Sequence, residues 1–182
     1  MEAEQLNHNL LLFKFQSRRD QQEVLEVDKP WFFEKQLVVI KSITGDEALS
    51  QVELTETPIW VQLFDIPLNH HSNANVKSMA TKAGRFLCFD EKGAAGWGKF
   101  VRARVALNVE KPLRKTLSIR FKGDLVIAIS YRYEGIPNFC YICGKLGHLL
   151  KECELKKEES NDEEVLGFGE WMHASLRKRY SA

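Results

Sequence analysis

The chain contains no apolar run near the ~18 residues that would cross a bilayer; "LVIAI" (125–129) is among its longest. Its N-terminal "MEAEQLNHN" is acidic and lacks the basic-then-apolar layout of a secretory signal. There is no Walker A loop, no HExxH pair and no nucleophile elbow, so the common signatures of nucleotide hydrolysis, zinc proteolysis and serine hydrolysis are missing. No internal repeat is visible. Cysteine is scarce, at four in 182 residues, yet three of the four fall between 140 and 153. These absences point to an intracellular protein, in nucleus or cytoplasm, with no membrane partner. In such a setting thiols stay reduced, and clustered cysteines bind metal more often than they form disulfides.

Hydrophobic residues make up 44% and charged residues 28%, the balance of a chain that folds over most of its length. The net charge is only +1, but it is unevenly spread. Residues 99–122 hold eight Lys or Arg against the single acid Glu110, whereas 154–164 hold six acids against Lys156 and Lys157. That asymmetry is the electrostatic footprint of a nucleic-acid partner.

"LLLFKF" (10–15) reads as a short strand, and "SRRDQQEVLEVDK" (17–29) as a helix capped by Ser17 or Asp20 and ended by Pro30. "KQLVVIKSI" (35–43) is strand-like, 44–57 is a polar connection, and "PIWVQLFDIP" (58–67) is a strand bracketed by prolines. Residues 71–86 fit a helix that stops at Gly84. Three strands with period-two alternation follow, over 99–109, 116–121 and 125–133, the last two joined by the turn signal "KGD" (122–124). Their pairing would give one apolar face and one face that collects Arg102, Arg104, Arg120 and Arg132, with Phe100 nearby. Such a face is either a solvated sheet surface or a groove for phosphates with an aromatic for base stacking. The polar run 154–165 reads as a disordered linker, and 166–180 closes with aromatics and a basic tail. The chain thus divides into an α+β domain (6–134), a metal loop (135–155), and a linker with tail (156–182).

The metal loop is "FCYICGKLGHLLKEC" (139–153). Cys140, Cys143, His148 and Cys153 follow a C-x2-C-x4-H-x4-C pattern. Two residues between the first cysteines let both sulfurs turn to one point, and the other two ligands return soon enough to close a tetrahedron. Zinc suits three thiolates and an imidazole, and with all four positions filled by side chains the ion is structural rather than catalytic. Gly144 and Gly147 sit where so tight a loop needs backbone freedom.

This spacing resembles the CCHC zinc knuckle of retroviral nucleocapsid and retroelement proteins, whose inner sequence "CGKLGH" matches closely. The resemblance implies a platform for an unpaired base made by Tyr141 and Leu150, with Lys145 and Lys151 reaching phosphates. Leu146 departs from the many knuckles that are polar there, and would extend the platform or dock on the preceding domain. More widely, "LLLFKFQSRRD", "KPWFF", "PIWVQLFDIPL", "MATKAGRFLCFD", "FVRARVALNVEKPL", "YEGIPNFCYICGKLGH" and "FGEWMHAS" together resemble plant retrotransposon-type proteins with a domain of unknown function ahead of a CCHC knuckle. The likeness covers roughly 6–175, with His173 where an arginine is usual. It implies an α+β fold with a mixed or antiparallel sheet and two helices, RRM-like or ferredoxin-like in part, followed by a small zinc knuckle. Trp60 and Phe100 echo the two strand aromatics of an RRM, although no clear helix separates 109 from 116. Relatives begin with another strand and helix, so the sheet around "LLLFKF" is expected to be incomplete, with an exposed edge.

Three functions follow in order of support. The first is a non-catalytic, zinc-dependent protein that binds single-stranded RNA or DNA and derives from a retroelement. The second is an assembly module, in which the knuckle is a structural clip and the partners are a second copy or other retroelement proteins. The third is an enzyme, for which Cys88 lacks an evident base and His70 and His71 lie in a polar loop.

Overall fold

A computed structural model describes residues 1–90, 99–120, 126–155 and 166–174. The turn at 122–124, Trp97, most of the acidic linker and the basic end of the tail lie outside the described residues. Packing divides the chain into two units, one of Met1–Asp28 with Ile40–Val52, the other of Lys29–Val39 with Glu53–Ala182.

In the first unit β1 (Glu2–Asn7) and β2 (Leu10–Lys14) form an antiparallel hairpin with Glu2 opposite Lys14 and Ala3 opposite Phe13. The sheet therefore does not start at "LLLFKF", as the sequence suggested; the acidic segment ahead of it is itself a strand. Its glutamates hid the pattern, and one of them, Glu4, lies 3.8 Å from Lys14 on the facing strand. Helix α1 (Arg18–Leu25) is capped by Ser17, whose hydroxyl accepts the Arg19 N–H at 3.1 Å. It stops four residues short of Lys29. No side chain of this unit is fully buried, since β2 is apolar on both faces and leaves Leu11 and Phe13 exposed on one of them.

The second unit opens with a small hairpin, β3 (Trp31–Phe33) and β4 (Gln36–Val38). Glu34 and Lys35 turn it with positive φ of 47° and 67°, the conformation that a two-residue hairpin loop favours. The strand expected over 35–43 is confined to β4. The remaining elements are β5 (Glu56–Phe64), α2 (Asn73–Ala80), β6 (Arg85–Phe89), β7 (Phe100–Asn108), β8 (Thr116–Arg120) and β9 (Val126–Tyr133). They build a five-stranded sheet in the order β6-β7-β5-β9-β8, and every ladder is antiparallel. Pro58 is tolerated in β5 because β9 pairs only with Val61–Phe64, so at Pro58 the strand has a ladder to β7 alone. Helix α2 starts at the Ser72 cap and ends at Ala80, earlier than Gly84. Gly84 does not end the helix but admits a close approach. A Cβ there would overlap the Ala106 carbonyl, so glycine lets the chain pass close over β7 into β6.

One sheet face is the core. Ile59, Val61 and Leu63 of β5, Ala103, Val105 and Leu107 of β7, and Ile129, Tyr131 and Tyr133 of β9 are buried there beneath Val76, Met79 and Ala80 of α2. The Tyr131 hydroxyl donates to the Met79 carbonyl at 2.9 Å, tying β9 to α2, and burial pushes its pKa up to about 12. No helix joins β7 to β8. Instead the chain turns after Asn108 and passes through the buried Leu113 to β8, with Tyr133 of β9 clamped to Arg114 by two hydrogen bonds of 2.9 and 2.8 Å. The core also takes in Ile136, Phe139 and Met172, with Tyr141, Leu146 and Phe168 packed against it. All six come from residues 136–146 and from the segment after the linker. The loop is therefore part of the second unit and not a bead on a string. Two helices and antiparallel sheets stand among the described residues, as the sequence suggested.

Candidate metal centre and nucleic-acid face

The metal loop is shaped by its backbone before any ion is considered. Phe139 bridges Leu146, and the Cys140 N–H donates to the Lys145 carbonyl at 2.9 Å. The Gly144 N–H returns to the Cys140 carbonyl at 2.8 Å. These bonds force Gly144 and Gly147 to φ of +73° and +87°, where a Cβ is strained. A 3₁₀ turn, Leu150–Glu152, then delivers Cys153; the Glu152 carboxylate accepts the Leu149 N–H at 3.1 Å and holds the turn in place.

The result is convergence. Cys140, Cys143, His148 and Cys153 each offer one ligand atom, and these atoms all lie within 4.8 Å of one another. Cys143 Sγ stands 3.3 Å from His148 Nε2. Ligands on a zinc tetrahedron with bonds of ~2.0–2.3 Å are separated by about 3.3–3.8 Å, so the set fits with little adjustment. Burial pushes the Cys140 thiol up, but the N–H groups of Cys143 and Ile142, with Cys153, outweigh it and bring the pKa to about 7. Burial likewise raises Cys143, which gains less from its own backbone donor at Lys145. A first thiolate is thus available near neutral pH, and the cation supplies the rest. The four residues hold one structural Zn²⁺ in a closed site.

Around this centre Tyr141 is half-buried, its ring edge-on to Phe139 at 5.2 Å between centroids. Leu150 is half-buried, while Lys145 and Lys151 are exposed. Leu146 packs on the core, which answers the question its apolar character raised. The Gly144 carbonyl accepts from the Leu113 N–H at 2.9 Å.

The second sheet face carries Arg102, Arg104, Arg120, Arg132 and Phe100, as alternation suggested, but their surroundings differ. Arg102 is an internal cation. It bonds Glu134 through Nε and Nη2, both at 2.8 Å, lies 3.5 Å from Asp90, and stacks 3.8 Å above the Trp60 ring. Burial disfavours its charge, yet Glu134 and Asp90 outweigh this and hold its pKa above the usual value. Gln62 completes the group with a 2.6 Å bond to Glu134. Arg102 is therefore removed from the phosphate-binding set that the sequence suggested. Arg104 sits half-buried 5.8 Å from Trp60. Arg120 and Arg132 are exposed, and Arg132 lies 4.3 Å over the Phe64 ring.

Phe64 is the cross-strand partner of Phe100, with ring centroids 5.1 Å apart, and Trp60 faces Arg104 on the same pair of strands. Sequence reasoning passed over Phe64 although it shares the i, i+2, i+4 set of Trp60 and Gln62. It also passed over Glu134, whose partner lies 32 residues away. Cys88 is exposed on β6, opposite Arg104, and His71 bonds the Ile66 carbonyl at 2.9 Å.

Comparison with known proteins agrees with this centre. The zinc knuckle family matches residues 107–155. An uncharacterized protein of Arabidopsis thaliana is 25% identical over 107 residues, 58% of this chain and 34% of the relative. The chain thus spans about a third of that relative's length. No solved structure matches. Among the described residues no helix is long and apolar enough to cross a membrane.

Proposed function

We propose that this is a non-catalytic protein of retroelement type that binds single-stranded RNA or DNA through its zinc-ordered knuckle. The observation that carries the reading is the closed Cys₃His centre beside a half-buried tyrosine and two exposed lysines. Tyr141 and Leu150 take an unpaired base, while Lys145 and Lys151 meet the flanking phosphates. On the second sheet face Phe100, with Phe64, and the exposed Arg120 and Arg132 offer a further track for the strand; Arg104 borders it. The strand order β6-β7-β5-β9 around α2 is that of a split βαβ fold, which supports an RRM-like reading of these four strands, with the knuckle in place of the second helix.

The test is fluorescence anisotropy of a labelled single-stranded RNA across salt concentrations. Zinc-loaded protein is expected to bind, and Tyr141→Ala to weaken it about tenfold or more, the loss of one stacked base. Because Tyr141 also packs on the core, a Lys145→Gln/Lys151→Gln pair serves as the second arm. It should reduce the log–log salt slope by roughly 0.7 for each phosphate no longer neutralised, leaving zinc content unchanged. Binding indifferent to all these changes rejects the reading.

A second reading is favoured by one observation: Leu146, Tyr141 and the Gly144 carbonyl all face the domain. The knuckle would then be a clip that closes the core in an assembly module, with a second copy or other retroelement proteins as partners. Zinc would be needed for folding, and single-stranded nucleic acid would not bind.

A further inference from the structure

The segment 166–174 lies on the knuckle through one aromatic ring. Phe168 rests against Gly144 so closely that a Cβ there would overlap the ring. Its N–H donates to the Tyr141 carbonyl at 3.1 Å. Lys115 covers the outer side, with Nζ 5.3 Å from the Phe168 ring centre and 3.1 Å from the Gly167 carbonyl. Beyond Phe168 the segment is held by Met172, which is fully buried, and by the Ala174 N–H bond to the Tyr133 carbonyl at 2.8 Å.

We propose that Phe168 and a nucleobase are alternative occupants of the Tyr141–Gly144 face, so that binding of a single strand at the knuckle is coupled to release of segment 166–174. This rests on the reading of the knuckle as a base site. The chemistry of the two occupants is the same: a flat ring laid on the glycine turn and an N–H given to the Tyr141 carbonyl. Nucleobases with an edge N–H or amino donor, such as guanine or cytosine, meet both requirements. Lys115 strengthens the exchange. Held by Gly167 and Phe168 in the closed state, it becomes available to phosphate when they leave. The closed fraction lowers apparent affinity, and a variant that cannot close recovers it.

The experiment uses the full zinc-loaded chain with a labelled single-stranded RNA, comparing wild type, Phe168→Ala and Tyr141→Ala. Affinity is read by anisotropy, and the environment of Met172 by its methyl NMR signal. Competition predicts that Phe168→Ala binds at least about threefold tighter than wild type. It also predicts that RNA moves the wild-type Met172 methyl from a buried to a solvent-exposed position. If wild type binds RNA and Tyr141→Ala weakens it, while Phe168→Ala is no tighter and Met172 stays buried, the competition is overturned and the base site stands. If neither wild type nor Phe168→Ala binds at low salt, both are overturned together.

Discussion

Among single residues, Glu134 has the clearest stability role. Its carboxylate takes Arg102 and Gln62 in a setting where it is 5% exposed. Glu134→Ala is expected to cost about 3 kcal/mol in denaturant unfolding, because Arg102 would keep its charge with only Asp90 beside it. Gly144→Ala should also destabilise, by about 1–2 kcal/mol for the left-handed backbone alone, with a further loss from the Phe168 ring it would displace. A thermal melt of zinc-loaded protein reads both. His173 adds a pH dependence. Burial lowers its pKa below the usual 6.5, against a smaller opposing effect of Glu170. The folded chain therefore binds its proton less readily than the unfolded chain, so stability present above ~6.5 falls as the pH drops through that value. His173→Asn should flatten this part of the stability–pH curve; an unchanged curve would remove His173 as the cause.

At the scale of elements, β7, β8 and β9 were readable because apolar residues alternate along them, and their pairing follows from that pattern. Strand β1 was not, since Glu2 and Glu4 give no apolar period and the strand exists only through its register with β2. The zinc ligands were readable because all four lie in one short loop, where spacing decides geometry. The fate of Arg102 was not: position placed it on the basic face, but its neutralisation depends on Glu134 and Asp90, which only folding brings near. In the tail, which aromatic or apolar side chain docks was not legible: Trp171 is 48% exposed, and the anchor is the buried Met172. The elements should differ in local stability. The first unit buries no side chain fully, so amides of β1 and β2 should exchange fastest, and those of central β5 only with global unfolding. Hydrogen exchange that finds β1 as protected as β5 would refute this.

For the molecule as a whole, the decisive feature is that the metal loop and segment 166–174 contribute side chains to the core of the second unit. On the proposed reading, zinc would act on both structure and binding, since the loop it orders carries Tyr141 and packs on the core. Stripping the ion should loosen Phe139, Leu146 and Met172 together, not merely unfold a small appendage. The most direct measurement is to follow single-stranded RNA anisotropy and near-UV circular dichroism while a chelator removes zinc and added zinc restores it. The account predicts that RNA binding and the aromatic signal are lost together and return together. Binding that persists after the zinc has gone would contradict it.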